Sequence, residues 1–453
     1  MGKSLGAKAV PGPRSYSPLG HIRTIQSDPI GVFMEATRRY GDLVRFRVGA
    51  WSVYLVAHPD GVRRVLQDNY LNYLKGFNYR FLRPVLGLGL LTSEGDLWQR
   101  QRRLVQPAFH HNELAKLACI MTDATAATLE GWRPRLEEGQ PLDIYDEMKR
   151  LSLEVVVRTM LGSDIGEAAD PVRRDVMFLR EHVNHRAMRM MSLPEAFPTP
   201  RNLRFKRALR TIDNTVWGMI EERRRAGGEA RDLVSILLSA RDEEDGQGMS
   251  DRQLRDEVVT IFIVGHETTG TGLAWTWYLL ARHPEVEEEL HAELDRVLAG
   301  RVPTFADLPN LQFTKMVFQE ALRLYPPAWC LGRQPIEDDE IGGFRIPAKS
   351  LVMVSPYVTH RHPDFWERPE EYDPWRFAPE RSAARSRYAY IPFAAGPRGC
   401  IGDNFALMEG QLSIAMIAQQ YRLRLAPGQV VEAEPAIALR PRGSLLMTPR
   451  SRS

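Results

Sequence analysis

A chain of 453 residues, 43% of them hydrophobic, can bury a large core, which excludes a mainly disordered protein. Its 60 basic and 57 acidic residues leave a formal charge of +3, and no stretch interleaves basic with aromatic residues, so nucleic acid is not an expected partner. The three cysteines, Cys119, Cys330 and Cys400, are far apart and odd in number, which argues against a disulfide framework and for a reducing cytoplasm.

In chain order, the lead from Pro11-Gly12-Pro13 to Pro18-Leu19-Gly20 has no apolar core of signal-peptide length, and no membrane anchor is expected. Residues 41–59 alternate apolar positions, Val44, Phe46, Val48, Val53 and Leu55, as strands do. From residue 60 to about 298 helical periodicity dominates, broken at Leu193-Pro194 to Pro200 and at Asp245-Gly246-Gln247-Gly248. Ser250 and Gln253 have capping-box spacing and His283-Pro284 a stop signal, so they should bracket one helix, on the order of 45 Å long at ~1.5 Å per residue. Its apolar run carries His266, Glu267, Thr268 and Thr269 at the centre, which favours a buried helix over a membrane span. Pro284 opens a helix that stops at Gly300, and another runs from Thr314 to Leu324 before Pro326-Pro327. Residues 331–357 should form short strands.

Four groups of residues carry candidate chemistry. Cys400 ends the loop Phe393-Ala394-Ala395-Gly396-Pro397-Arg398-Gly399, just before the helical spacing of Phe405, Met408, Leu412 and Met416. A helix N-terminus favours a thiolate, although a lone cysteine is more often an inert core residue. Val264-Gly265-His266-Glu267-Thr268-Thr269 places glycine and threonines at mid-helix, which predicts a local opening of π type or a close helix crossing. Glu320 and Arg323 are an i,i+3 pair beside the stripe Phe313, Val317, Ala321, Leu324, a weak motif by itself. Trp98 and Arg102 share one helix face and could offer an indole N–H and a guanidinium to one anion; an ordinary amphipathic helix reads the same way. His360 and His362 read as surface-turn residues with no ligand role.

Taken together these segments resemble the cytochrome P-450 family, from the lead around Pro11 to the strands before Pro449. The aromatic, glycine, arginine, cysteine and glycine of that family's cysteine-ligand loop fall on Phe393, Gly396, Arg398, Cys400 and Gly402, its oxygen-activation segment on residues 264–269, and its acid–arginine network on Glu320, Arg323 and the Arg376 of Pro374-Trp375-Arg376-Phe377. The fold implied is mainly α with a small β-rich region, a single triangular haem domain: a β-containing part at residues 1–60, a helical core at 60–330 and 400–420, and a β-rich and ligand-loop region at 331–400.

The resemblance implies haem b (iron protoporphyrin IX) as cofactor, with Cys400 the sulfur ligand that favours O–O cleavage. It also implies propionate contacts from Arg398, Trp98, Arg102 and Arg333, and Phe393 shielding the sulfur. Thr268 would steady dioxygen, Glu267 would relay protons, and Glu320, Arg323 and Arg376 would be scaffold. Val264 stands where relatives commonly carry alanine, which narrows the space above the iron. Substrate contacts are expected from residues 76–91 and from Val264, Thr268, Ala328, Trp329, Cys330 and Leu331, whose apolar character implies a lipid-like, terpenoid or polyketide substrate. The expected reaction is monooxygenation with O2 by a cytoplasmic monomer without a fused reductase. Electrons are expected from a ferredoxin or flavodoxin with an NAD(P)H reductase, docking on a basic patch of Arg100, Arg102, Arg103 and Arg398. Alternatives are a peroxygenase, a haem-dependent isomerase or dehydratase, and a haem sensor or carrier.

Overall fold

The computed structural model describes residues 9–161, 169–188, 194–226 and 232–452, so Leu193 and residues 1–8, which precede the proline-rich lead, lie outside the described residues. The chain divides into two compact units: Met1–Tyr79 with Gln319–Cys400 and Glu434–Arg440, and Arg80–Phe318 with Ile401–Ala433 and Pro441–Ser453. It is mainly helical with small sheets, as expected.

The first unit is built on a five-stranded sheet in the order Leu43–Val48, Trp51–Val56, Leu351–Val354, Leu331–Pro335, Tyr73–Lys75. Leu43–Val48 and Trp51–Val56 form the hairpin expected from the alternation at 41–59, and Gly49 supplies the left-handed φ of +60° at its turn. Both faces of this sheet are apolar, because each strand sends alternate side chains to opposite sides. Val44, Phe46, Val53 and Leu55 pack with Phe33 and Ala36 of the helix Pro29–Tyr40. Leu43, Tyr54, Val56 and Val352 pack on the other side with Ile391, Ala394 and Ala395. The segment leading to Cys400 therefore rests on one defined face of the sheet.

The second unit is organised around the helix Asp251–Leu280. The capping box is present, Ser250 accepting from the Gln253 amide while the Gln253 side chain accepts from the Ser250 amide, and the next helix opens at Pro284. The long helix crosses Ile144–Leu161 closely, since a Cβ on Gly270 would stand 2.8 Å from the Met148 carbonyl oxygen. Val156, Leu179, Phe205, Ile212, Val258 and Phe262 belong to the apolar core that joins these helices to Ala169–Met188 and Pro200–Ala226. Helix Asp403–Gln420 packs on His111–Glu137, and a three-stranded sheet of Leu142–Asp143, Leu446–Ser451 and Tyr421–Leu425 completes the unit.

Candidate functional site

Cys400 ends a loop whose backbone is folded back on itself. Its amide donates to the Phe393 carbonyl at 2.9 Å, and the Gly399 amide donates to the Gly396 carbonyl at 2.9 Å. Ala394 and Gly396 both take left-handed φ, +59° and +72°. Only glycine fits at 396, because a Cβ there would lie 1.9 Å from the Leu66 carbonyl oxygen. Leu66 sits in a π-helical turn, Arg64–Asp68. Phe393 and Arg398 are half-buried, and Cys400 is exposed at the tip of the loop.

The other cysteines differ in kind. Burial pushes the Cys330 thiol up to about 12, so it stays protonated. Cys119 lies on the outer face of His111–Glu137 with its Sγ 3.6 Å from the Lys116 carbonyl oxygen. Among the described residues no group of three or more His, Cys, Asp and Glu side chains is placed to hold a bare metal ion. A porphyrin brings its own four nitrogens, so one accessible thiolate on a rigid loop suits haem iron.

In the second unit, Glu267 is buried and Thr268 half-buried on Asp251–Leu280. The expected opening is absent: the helix runs unbroken through residues 264–269. The Thr268 hydroxyl donates to the Val264 carbonyl at 3.2 Å and that of Thr269 to the Gly265 carbonyl at 3.3 Å, so each hydroxyl adds a bond to a helical carbonyl instead of displacing the ladder. His266 bonds the Phe262 carbonyl at 2.9 Å in the same way. Val264 packs against the main apolar core.

Trp98 is buried and Arg102 half-buried one turn later on Gly95–Val105. The expected basic patch does not form as read. Arg100 lies 3.3 Å from both Asp242 and Asp245, and Arg103 lies 3.0 Å from Asp242 and 2.8 Å from Glu244. An acidic loop neutralises both charges, which no local pattern could reveal. The Asp242 carboxyl is held below its ordinary range, first by the Arg103 hydrogen bond.

Glu320, Arg323 and Arg376 come together in the first unit. All three are buried, and every N–H of Arg323 is used: Nε and Nη2 donate to the Glu320 carboxylate at 2.7 and 2.8 Å, and the rest to the carbonyls of His360, Pro369 and Glu371. Arg376 Nε lies 3.3 Å from Glu320 Oε1. His360 and His362 are not surface residues but buried ones. His360 Nδ1 lies 3.1 Å from the Arg323 carbonyl oxygen and Nε2 accepts from the Ile391 amide at 2.8 Å, a pairing that requires the neutral Nδ1–H tautomer. Burial holds its pKa well below the ordinary value, and His362 pairs with Asp42 at 3.0 Å.

The residues after Pro327 divide between the two faces of the sheet. Ala328 and Leu331 pack on the face that carries Ala394 and Ala395. Trp329 and Cys330 pack on the opposite face with Phe33, and the Trp329 indole donates to the Ala436 carbonyl at 2.8 Å. The four do not line one surface. Arg333 is buried in the strand Leu331–Pro335, where it donates to the Gly332 carbonyl at 3.0 Å.

Three buried acids went unread in the sequence, Glu409 and the adjacent pair Asp256 and Glu257. A signal was available for Glu409, since a carboxylate inside an apolar helical run needs a partner, but not for Asp256 and Glu257, which end the polar stretch of residues 250–257.

A family model described as Cytochrome P450 matches residues 10–449. Similar proteins include cyclooctatin synthase of Streptomyces melanosporofaciens, 38% identical over 96% of this chain and 94% of the relative. Cyclooctat-9-en-7-ol 5-monooxygenase of the same organism is 39% identical over 92% and 90%, and pentalenene oxygenase of Streptomyces avermitilis is 35% identical over 92% and 91%. No helix among the described residues is long and apolar enough to cross a membrane.

Proposed function

Because the chain belongs to the cytochrome P450 family and is a haem-thiolate monooxygenase, we propose that it inserts one oxygen atom of O2 into a cyclic terpenoid hydrocarbon or alcohol. The observation that carries the substrate class is the near full-length similarity to relatives named for cyclooctatin, cyclooctat-9-en-7-ol and pentalenene. The apolar surroundings of Val264 support it.

Bound haem supplies the activation of O2, with electrons from a separate ferredoxin or flavodoxin. In the first unit Cys400 holds the iron, on a loop kept in place by the Phe393 and Gly396 carbonyls, with Arg398 and Arg333 assigned to the propionates. In the second unit Trp98 and Arg102 are assigned to the propionates as well. The Thr268 hydroxyl donates its hydrogen bond to the Val264 carbonyl, which leaves its oxygen lone pairs to accept a hydrogen bond from water or another donor in the pocket. Glu267, a buried carboxyl on the same turn, is the group that passes protons toward it. Val264 limits how a bulky substrate turns, and the main apolar core around it keeps bulk water away. Glu320, Arg323 and Arg376 hold the backbone from which the ligand loop extends. A cytoplasmic monomer is part of the proposal, and the odd, widely spaced cysteines support the reducing compartment.

The test is spectroscopic. Purified protein, reduced and exposed to carbon monoxide, is expected to show the absorption band of thiolate-ligated haem, and Cys400→Ser is expected to abolish it. Cyclic terpenes should shift the haem from low to high spin, and a response to fatty acids alone would reject the terpenoid assignment.

A further inference from the structure

Gly87-Leu88-Gly89-Leu90 follows the short helix Arg83–Leu86 and lies on the first turns of Asp251–Leu280. Two of its amides reach the long helix. Leu88 N–H donates to Asp256 Oδ2 at 2.8 Å and Leu90 N–H to Glu257 Oε2 at 3.0 Å. The Leu88 carbonyl accepts from Gln101 at 2.8 Å and that of Gly87 from the Thr92 hydroxyl at 2.8 Å. Gly87 turns with φ +58°, and a Cβ on it would meet the Asp256 carboxylate at 2.2 Å; one on Gly89 would meet Thr260 Oγ1 at 2.2 Å. Glycine at both positions is what allows the backbone to lie against the acids.

The acids are costly where they stand. Asp256 is 4% and Glu257 0% exposed, and buried carboxylates persist only when hydrogen-bonded or paired. Arg255 supplies the charge partner: its Nη1 donates to Asp256 Oδ1 at 2.8 Å and to the Val85 carbonyl at 3.1 Å, and its Nε reaches Asp213 of Pro200–Ala226 at 2.9 Å. Apolar packing would fill the same space at less cost, so what the acids add is a fixed backbone position for the loop. Leu91 packs on the same apolar core as Val264, while Leu88 is 45% exposed.

We propose that Asp256 and Glu257 are positioning residues that clamp residues 87–91 as a rigid wall of the substrate chamber and thereby set the size of molecule admitted. This rests on the reading of that loop as substrate-facing. Arg255 extends the clamp to the helix Pro200–Ala226, so the loop and that helix are tied to one anchor.

The test uses the holoenzyme and four variants. Asp256→Ala and Glu257→Leu remove an acceptor, whereas Asp256→Asn and Glu257→Gln keep a side-chain carbonyl that can accept. Amide hydrogen exchange across residues 86–93 should speed up roughly tenfold in the first two, the equivalent of one lost hydrogen bond, and stay near wild type in the conservative pair. Affinity for 4-phenylimidazole, read from the haem spectrum, should change by about fivefold or more in the first two relative to imidazole, which is too small to meet the wall. Unchanged exchange in Asp256→Ala and Glu257→Leu overturns the clamp. Faster exchange with an unchanged ratio of azole affinities overturns its role in size selection. If wild-type protein gives no azole response at all, the haem reading fails, and the exchange measurement still decides whether the acids hold the loop.

Discussion

Two buried glutamates, one in each unit, show what a partner does to a carboxyl group. Glu320 and Glu409 are both fully buried. Glu320 accepts two N–H bonds from Arg323 and one from the Asp373 amide at 3.0 Å, with Arg376 beside it. Glu409, on Asp403–Gln420, has one hydrogen-bond partner among the described residues, the Ser152 hydroxyl on Ile144–Leu161, and its Oε2 has none there. Burial accordingly pushes Glu409 up to about 8, with the Ser152 bond opposing, so it is mostly protonated at neutral pH. A guanidinium lets a carboxylate be used as a charged strut; a hydroxyl leaves it a neutral acid that titrates near physiological pH.

The widest gap between the two should appear on truncation. Arg323→Ala strands the Glu320 charge and the carbonyls of His360, Pro369 and Glu371, and is expected to cost about 3–5 kcal/mol. Protein lacking haem should result, and normal haem content in the purified variant would contradict the strut assignment. His360→Leu comes next, at roughly 1–3 kcal/mol, because it leaves the Ile391 amide and Arg323 carbonyl buried without partners. With its pKa depressed in the folded state, His360 favours folding above the ordinary histidine range and loses that contribution as pH falls through it. Urea unfolding at pH 5 and 7 should show wild type losing more stability than the variant on acidification.

The effect of Glu409→Gln should be smallest below the ordinary carboxyl range and should grow between pH 6 and pH 8. A carboxyl whose folded pKa is raised binds its proton more tightly folded than unfolded, so its contribution is full below the ordinary carboxyl range and is lost as pH rises to about 8. The slope approaches 1.4 kcal/mol per pH unit, so between pH 6 and 8 wild type should lose about 2 kcal/mol more than the variant. Equal losses would place Glu409 with Glu320, as an anion with an unrecognised partner.

The same contrast explains what was readable in the sequence. Local rules found their targets: the Ser250–Gln253 capping box, the hairpin at 41–59, the restart at Pro284 and the i,i+3 spacing of Glu320 and Arg323. Partners supplied from far along the chain were not readable. The turn-like surroundings of His360 suggested the surface, yet its two nitrogens meet Arg323 and Ile391, 37 and 31 residues away. Arg100 and Arg103 looked like a docking patch because the acids that cover them lie about 140 residues on. Gly265, Thr268 and Thr269 suggested a local opening of the helix, but neighbouring carbonyls could take the extra bond. Trp329 and Cys330 were placed with Ala328 and Leu331 by adjacency, but the irregular backbone before the strand Leu331–Pro335 sends them to the opposite face of the sheet.

The smallest effect isolates the hydroxyl. Ser152→Ala removes the one hydrogen bond to Glu409 among the described residues, which at pH 6 costs about 1 kcal/mol, one neutral hydrogen bond. At pH 9 the wild-type carboxyl is largely charged, and a bond to a charged acceptor is worth about 1.5–3 kcal/mol, so the cost should grow and the titration should move above 8. In a Glu409→Gln background the cost of Ser152→Ala should not vary with pH, because an amide does not titrate. A double-mutant cycle at the two pH values reads the difference directly. A coupling that stays constant between pH 6 and 9 would mean that Glu409 does not change its charge over that range, and the contrast with Glu320 would then lie in geometry alone.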